Sequence, residues 1–323
     1  MGLFSGLANS YVTLDEATAK QLLQPSKRFL TAQVQPPFDT ELPATINRFI
    51  KGITEYQIQL LGLKNTSPTI AFEIQRFDPR KLRLQFAVQS SRLDRKIRTH
   101  LSEQVPGVAF AEGTTKLPLA AGSSVGVGIL TLRRKDVYPL ETEFERPPTN
   151  SVITPLHRDA MRDTGVVIQV LFKPMAGHPV GKRLWHREAS KESRNLRNEK
   201  IGLLPWNDRD PTPREKYQAR KIDEKAGSPR FKTSIRILVV GAKKYTASRV
   251  KEISSGFNVF AGPDTGQSFK TTTVRGLTDS PVLRAVEKIR DRSFSHSFQL
   301  SAQELAGLVA IPDREQENLN KTV

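Results

Sequence analysis

Apolar and polar residues alternate along several short segments in the first half of the chain, which is typical of half-buried strands. Asp78-Pro79-Arg80 separates two of these segments and is a turn signal, so we expect a hairpin there. Apolar residues then recur at Leu93, Ile97 and Leu101, which predicts a helix capped by Ser91. The strands predicted in this half cover residues 57–60, 69–74, 82–86, 108–110 and 126–137.

A similar order of elements recurs in the second half of the chain, interrupted by an insertion. Strands are predicted over residues 165–172, 231–240 and 269–274, and helices over residues 150–161, 245–257 and 280–289. We therefore predict an α+β fold of two similar modules of mixed, mainly antiparallel sheets with packed helices. The predicted divisions are a lead-in (1–41), a first module (42–145), a second module (146–295) with a basic helical insertion (175–230), and a C-terminal tail (296–323).

The insertion differs in composition from the rest of the chain. Between Lys182 and Lys225 it carries thirteen Lys or Arg residues and eight Asp or Glu residues, and it holds both tryptophans of the chain. The segment Thr212-Pro213-Arg214-Glu215 is a capping box with proline at the first helical position. We expect a helix from there to about Ala226.

The whole chain of 323 residues is basic, with 50 Lys or Arg residues, 33 Asp or Glu residues and a formal net charge of +17. This surplus favours a polyanionic partner, with nucleic acid first and an anionic membrane surface second; a solvated basic surface is the alternative. The longest uncharged run, Leu117–Leu132, is too short to span a bilayer. The N-terminus lacks the pattern of a signal peptide, and the chain has no cysteine. We expect a cytoplasmic protein, and a peripheral position at the inner face of the cell membrane stays open.

The candidate catalytic motifs each lack a required feature. Gly177–Arg183 follows a strand as a phosphate-binding loop does, but three residues separate its glycines where the Walker pattern needs four. Arg183 also stands where that pattern has Ser or Thr, and Gly126-x-Gly128 lacks a third glycine. The five histidines do not have metal-ligand spacing. We therefore predict no catalytic residue, no cofactor and no metal, and a protein that is not an enzyme.

The insertion has two interpretations. In one, its cations neutralise the phosphates of non-specifically bound DNA, and its tryptophans stack on bases. In the other, it is a charged helical arm whose tryptophans anchor it to the sheet, because basic and acidic residues are interleaved along it. The candidate nucleic-acid-binding residues are Lys182, Arg183, Trp185, Arg187, Lys191, Arg194, Arg197, Lys200 and Trp206.

The C-terminal tail has the most distinctive local pattern, a capping box followed by a short helix with one apolar side. The predicted docking residues are Ser301, Glu304, Leu305, Leu308 and Ile311. A helix this short needs a partner surface. We expect it to dock on the chain's own second module, anchored by Phe294 and Phe298, and a separate ATPase subunit is the alternative.

The segment FQLSAQELAGLVAIPD, residues 298–313, resembles the connector that precedes the motor domain in coupling-protein-like ATPases of type IV secretion. These ATPases are large conjugation motors of the HerA/FtsK class. Upstream, Asp136–Leu140, a helix and the Gly165–Pro174 strand also resemble the N-terminal region of that family. The resemblance covers roughly residues 42–315, but Ala310 stands where the family often has histidine, and the ATP-binding motifs have no counterpart.

This resemblance implies a non-catalytic accessory component of a conjugative DNA-transfer or type IV secretion motor. Such a component would orient or recruit an ATPase that is either a separate protein or a further part of a longer chain, and it would contact DNA. Two other functions stay open. One is a free-standing nucleic-acid-binding protein of another system, and the other is an enzyme whose site is not local in the sequence.

Overall fold

The computed structural model describes residues 8–36, 43–60, 64–78, 81–157, 161, 163–176, 179–199 and 209–313. Within these ranges the chain is a mixed α+β protein, which confirms the predicted class. The helices are α1 (Glu16–Leu23), α2 (Pro43–Ile53), α3 (Ser91–Gln104), α4 (Thr149–Ile153), α5 (Pro179–Arg197), α6 (Pro213–Gly227), α7 (Thr246–Ser255), α8 (Ser280–Arg290) and α9 (Ala302–Leu308). The strands are β1 (Val12–Thr13), β2 (Leu30–Gln35), β3 (Ile58–Gln59), β4 (Lys64–Asn65), β5 (Ile70–Asp78), β6 (Lys81–Val88), β7 (Ala109–Glu112), β8 (Ser124–Leu132), β9 (Gly165–Pro174), β10 (Arg230–Val240), β11 (Phe269–Thr273) and β12 (Phe298–Ser301).

Ten of the strands in the described residues form one antiparallel sheet. Its main order is β7-β2-β6-β5-β9-β10-β8-β11. β1 pairs with β8 beyond the end of β11, and β12 pairs with the start of β10. The remaining two strands, β3 and β4, form a small separate hairpin, so the predicted strand over residues 57–60 is only two residues long.

The sheet consists of two repeats with the same connectivity. β2-α2-β5-β6-α3-β7 forms one half, and β8-α4-β9-β10-α7-β11 forms the other, with α5 and α6 inserted between β9 and β10. In each half the strand order is 4-1-3-2, which is the ferredoxin-like β-α-β-β-α-β arrangement. β5 pairs with β9 over Ile70–Arg76, and this pairing joins the halves into one sheet.

Two of the predicted boundaries differ from the structure. β2 lies in the predicted lead-in, yet it is the first strand of the first repeat. β8 lies in the predicted first module, yet it begins the second repeat, so the two modules share a sheet across the predicted boundary. Pairing between distant strands decides both assignments, and the local alternation of residues does not contain that information. The predicted helix over residues 150–161 is also shorter, because α4 is followed by a 3₁₀ turn over Thr154–His157.

Alternation along the strands gives the sheet two unlike faces. On one face, Phe72 and Ile74 of β5 belong to the main hydrophobic core, together with residues of α2, α3, α7 and α9. On the opposite face, α1 and α8 lie over a smaller core that includes Val125 of β8. The centre of that face is polar, because Glu73 and Gln75 alternate with the apolar residues of β5.

The polar centre is a buried hydrogen-bond network around Glu73. Arg292 places Nε 2.9 Å from Glu73 Oε1, and Gln85 and Gln169 donate to the carboxylate at 2.7 and 2.8 Å. Arg236 donates in turn to Gln169. Burial alone would raise the pKa of Glu73, but the charge of Arg292 and these hydrogen bonds outweigh it and hold the pKa below its ordinary value.

The glycines of β8 are explained by packing. A Cβ at Gly126 would lie 2.2 Å from Thr246 Cγ2, and a Cβ at Gly128 would lie 2.4 Å from Val250 Cγ1. Both partners belong to α7, so the glycines allow this helix to approach the sheet. Gly126-x-Gly128 is therefore a packing feature of a strand and not a phosphate-binding turn.

In the described part of the C-terminal tail, α9 and the residues that follow it up to Ile311 are buried within the chain itself. Leu305, Leu308 and Ile311 are each no more than 3% exposed and belong to the main core. α9 packs on α2 of the first repeat as well as on β10 and β12, which corrects the expectation that it docks on the second module alone. Phe298 anchors it as predicted, whereas Phe294 lies in a different cluster with Leu171 on the opposite face. Of the helices in the described ranges, none combines the length and the apolarity that crossing a bilayer requires.

Candidate nucleic-acid interface

The described part of the insertion forms two helices, α5 and α6, that pack on each other; we call this pair the arm. The predicted capping box at the start of α6 is present, with Glu215 N donating to Thr212 Oγ1 at 3.2 Å and Thr212 N donating to Glu215 Oε2 at 2.8 Å. Arg209 also binds the Glu215 carboxylate and lowers its pKa to about 2. This ion pair and the cap fix the residue at which α6 begins.

Trp185 anchors the arm to the body of the protein. Its side chain is buried, and its indole Nε1 donates to Asp136 Oδ1 at 2.8 Å. The guanidinium of Arg230 lies 3.8 Å from the ring centroid. Ile222 of α6 and Tyr138 complete the same hydrophobic cluster. The prediction that Trp185 stacks on bases is therefore wrong, because the ring is already enclosed, and the alternative interpretation as an anchor is correct for this residue.

Cations line the exposed side of α5; we call this side the basic face. Its members recur every three or four residues and are all exposed, so they share one side of the helix. They are Arg183, Arg187, Lys191, Arg194 and Arg197. Arg197 also pairs with Asp223 of α6. An open groove runs along the other four and is also lined by Lys135, His186 and Glu188.

The acidic residues of α5 lie on a different side of the helix from the basic face. Glu188 and Glu192 both bind Lys135, with Glu188 Oε1 3.2 Å from Nζ. The hydrogen bond from Lys135 lowers the pKa of Glu192, and the same contact raises the pKa of Lys135. Positive and negative residues that are interleaved in the sequence are thus separated on the helix surface. The sequence pattern alone favoured salt-bridged helices and did not show this separation.

The remaining candidates have other positions. Lys182 lies within α5, but its side chain is outside what the structure describes. Lys200 and Trp206 lie outside the described residues, as do Gly177 and His178 of the candidate phosphate loop. The rest of that loop, from Pro179, is the first turn of α5.

A buried ion pair joins the arm to the tail. Glu304 Oε1 accepts hydrogen bonds from Lys225 Nζ of α6 at 2.9 Å and from Leu140 N at 2.8 Å. Its other oxygen accepts from Ser301 N at 2.7 Å, which completes the predicted capping box of α9. The side chains of Lys225 and Glu304 are 1% and 0% exposed. The capping pattern indicated Glu304, but no local signal indicated Lys225, because its partner is 79 residues away.

Taken together, the fold and the site define an α+β protein in which two ferredoxin-like repeats share one sheet and carry a basic helical arm. No group of three or more His, Asp or Glu side chains in the described residues is arranged to hold a metal ion. Residues 4–323 match the family model of DUF8128, a domain of unknown function, and the chain belongs to this family. A comparison with curated proteins found no match.

Proposed function

We propose that the protein is a non-catalytic nucleic-acid-binding protein that holds DNA along the basic face of α5. The observation that carries this proposal is the separation of charge on that helix, where exposed cations face solvent and the acidic residues are turned to Lys135. Like charges four residues apart, as in Arg183, Arg187 and Lys191, repel each other and slightly destabilise a helix, and a bound polyanion would remove this repulsion. The net charge of +17 adds a general attraction for polyanions.

The dimensions of the basic face suit a phosphate backbone. From Arg183 to Arg197 the helix rises about 21 Å, at 1.5 Å per residue. One DNA strand presents about six phosphates over that length, at 3.4 Å each along the axis. Contacts between cations and phosphates position a protein on DNA without reading the bases, so we expect binding with little sequence preference.

The test is a fourfold variant, R183Q/R187Q/K191Q/R194Q, titrated with random-sequence duplex DNA at several salt concentrations. Each phosphate contact contributes about 0.9 to the slope of log affinity against log salt, so four lost contacts lower the slope by about 3 to 4. Affinity at 0.15 M salt falls at least tenfold. Because Trp185 and the ion pairs of Lys135 are untouched, the variant keeps the melting temperature of the wild type.

A charge-matched control separates this effect from loss of net charge. Lys27, Lys51, Lys81 and Arg95 are exposed and lie outside the arm. K27Q/K51Q/K81Q/R95Q removes the same four charges and should retain most of the affinity. If both fourfold variants lose equal affinity and slope, DNA binding is a property of the net charge and the assignment to α5 is wrong.

A second candidate function, supported by the resemblance, is an accessory role beside the ATPase of a conjugation or secretion motor. One geometric feature favours it. Asn150 Nδ2 donates to Asp313 Oδ2 at 2.6 Å and Asp313 N donates to Asn150 Oδ1 at 3.0 Å, so the end of the connector is held in a fixed direction. Co-purification with a Walker-type ATPase encoded next to this chain tests the role. Failure of the two proteins to associate counts against it.

A further inference from the structure

Two lysines of neighbouring central strands face each other at the base of the arm. Lys173 of β9 and Lys232 of β10 are directly opposite in the antiparallel register. Like charges in this arrangement repel and destabilise a sheet. Neither ammonium group has an ion pair with a carboxylate anywhere in the part of the chain that the structure describes. Lys173 Nζ donates to the backbone carbonyl of Asn65 at 3.4 Å, but no carboxylate of the described residues balances the two positive charges.

One aromatic ring lies beneath both ammonium groups. Lys232 Nζ is 5.0 Å from the centroid of the Phe294 ring and Lys173 Nζ is 5.9 Å from it, so both are within reach of its negative face. Both lysines and Phe294 are half-buried and accessible from solvent. Burial lowers the pKa of Lys173, and the charge of Lys232 lowers it further. An anion between the two ammonium groups would stabilise their charged forms and so counter the lowering of the Lys173 pKa.

The loop that carries Phe294 is fixed on both sides of the ring. Arg236 Nη1 donates to the carbonyl of Ser293 at 2.6 Å, and Ser234 Oγ donates to the carbonyl of Ser295. Arg292, just before this segment, has φ of +48° and is held by its buried ion pair with Glu73. A non-glycine residue keeps this left-handed conformation only where its surroundings impose it. The ring and the lysines above it are therefore preorganised.

Cations continue from this pair to the arm. Arg230 lies two residues before Lys232 on the same side of β10, about 7 Å along the strand. Its guanidinium also approaches His186 Nε2 of α5 at 3.1 Å, and His186 borders the groove of the basic face. Arg230 and His186 thus connect the lysine pair to the groove of α5, in which Glu188 is held by its ion pair with Lys135.

We propose that Lys173 and Lys232, positioned over Phe294, bind one backbone phosphate of the nucleic acid that lies along α5. This proposal rests on the proposed function and adds a second contact point on the sheet. It makes the bound strand bridge the arm and the body of the protein. The chemistry of the pair also fits a free phosphate compound, which the experiment separates from a nucleic-acid phosphate.

The test is the double variant K173Q/K232Q, titrated with the same duplex DNA. Loss of one phosphate contact lowers the salt slope by about 0.9 and the affinity at 0.15 M salt about fivefold. The matched control is K51Q/K81Q, because Lys51 lies on α2 at the other face of the sheet and Lys81 lies at the other end of the strands. The melting temperature of K173Q/K232Q stays equal to that of the wild type or rises, because the repulsion is removed.

The outcomes are distinguishable. If K173Q/K232Q and the control K51Q/K81Q have the same salt slope, the proposal of a lysine site is wrong. The proposed function still stands in that case if R183Q/R187Q/K191Q/R194Q weakens DNA binding. If neither variant weakens binding, both proposals are wrong. Inorganic phosphate, compared with chloride at the same ionic strength, should not change the melting temperature of the wild type. If it raises that temperature in the wild type but not in K173Q/K232Q, and DNA binding is unaffected, the pair binds a free phosphate compound instead.

Discussion

Single residues of the arm have opposite roles although they lie side by side in the sequence. Trp185 is 5% exposed and bonded to Asp136, whereas its neighbour Leu184 is 58% exposed. Arg183 and Arg187 lie on the exposed side of the same helix. The position of each side chain around α5, and not its chemical type, decides whether it stabilises the fold or is available to a ligand.

At this scale we predict that Trp185→Phe lowers stability and leaves DNA affinity unchanged. The smaller ring leaves space in the cluster, and Asp136 loses the indole donor, which together cost about 1–3 kcal/mol. Urea unfolding and DNA titration measure the two effects, and Leu184→Ala on the exposed side is the control. A variant of normal stability with weakened DNA binding would restore the base-stacking role.

At the scale of elements, the arm is attached at two points. α5 is anchored through Trp185, and α6 is anchored through Lys225, whose partner Glu304 also caps α9. The carboxylate of Glu304 thus serves two elements that are far apart in the sequence. Because this ion pair is fully buried, removing one partner leaves an uncompensated charge in the interior.

We predict that Lys225→Met costs about 3–5 kcal/mol of unfolding free energy, because the Glu304 carboxylate then keeps only backbone donors in a buried site. Lys225→Met combined with Glu304→Gln should be more stable than Lys225→Met alone, since the buried charge is then removed. Lys221→Met, on the same helix with an exposed partner, Glu143, should cost less than about 1 kcal/mol. Denaturant unfolding of these variants measures the order of their stabilities. Equal stability of Lys225→Met and Lys221→Met would contradict it.

At the scale of the whole molecule, local pattern and long-range pairing contributed different parts of the structure. The hairpin of β5 and β6 and the buried side of α3 follow from the alternation and spacing of apolar residues, and the structure confirms them. The pairing of β5 with β9 and the place of β2 in the first repeat do not follow from these patterns, because tertiary contacts set the register between distant strands. The cations of α5 are neighbours in sequence and could be predicted, whereas Lys173 and Lys232 meet only through the register of β9 and β10. The link to a conjugation motor stays a prediction.

The buried network around Glu73 predicts how the stability of the molecule depends on pH. The folded state holds the pKa of Glu73 below the ordinary value of 4.5, so its contribution is complete above that pH. The contribution is lost as the pH falls through the lowered pKa of the folded state. Glu73→Gln should therefore be less stable than the wild type at pH 7, by about 3–5 kcal/mol, because Arg292 loses its partner.

The difference in unfolding free energy between Glu73→Gln and the wild type should become smaller as the pH is lowered from 5 towards 2. At low pH the wild-type Glu73 side chain is protonated and therefore neutral, as glutamine is. The control is Glu16→Gln, which removes an exposed carboxylate paired with Lys20 and should change stability by less than about 1 kcal/mol. A difference that is the same at every pH would contradict a titrating role for Glu73 in the fold.

The insertion point of the arm has a consequence for shortened versions of the chain. In the first repeat β5 ends at Asp78 and β6 begins at Lys81, whereas the equivalent strands β9 and β10 are separated by the entire arm. A shortened chain with a bare hairpin at this connection would lack Lys225, and the Glu304 carboxylate would keep only its backbone donors, Leu140 N and Ser301 N. Removal of the arm is therefore expected to be tolerated better when Glu304 is replaced by glutamine, because no charge then stays without its partner.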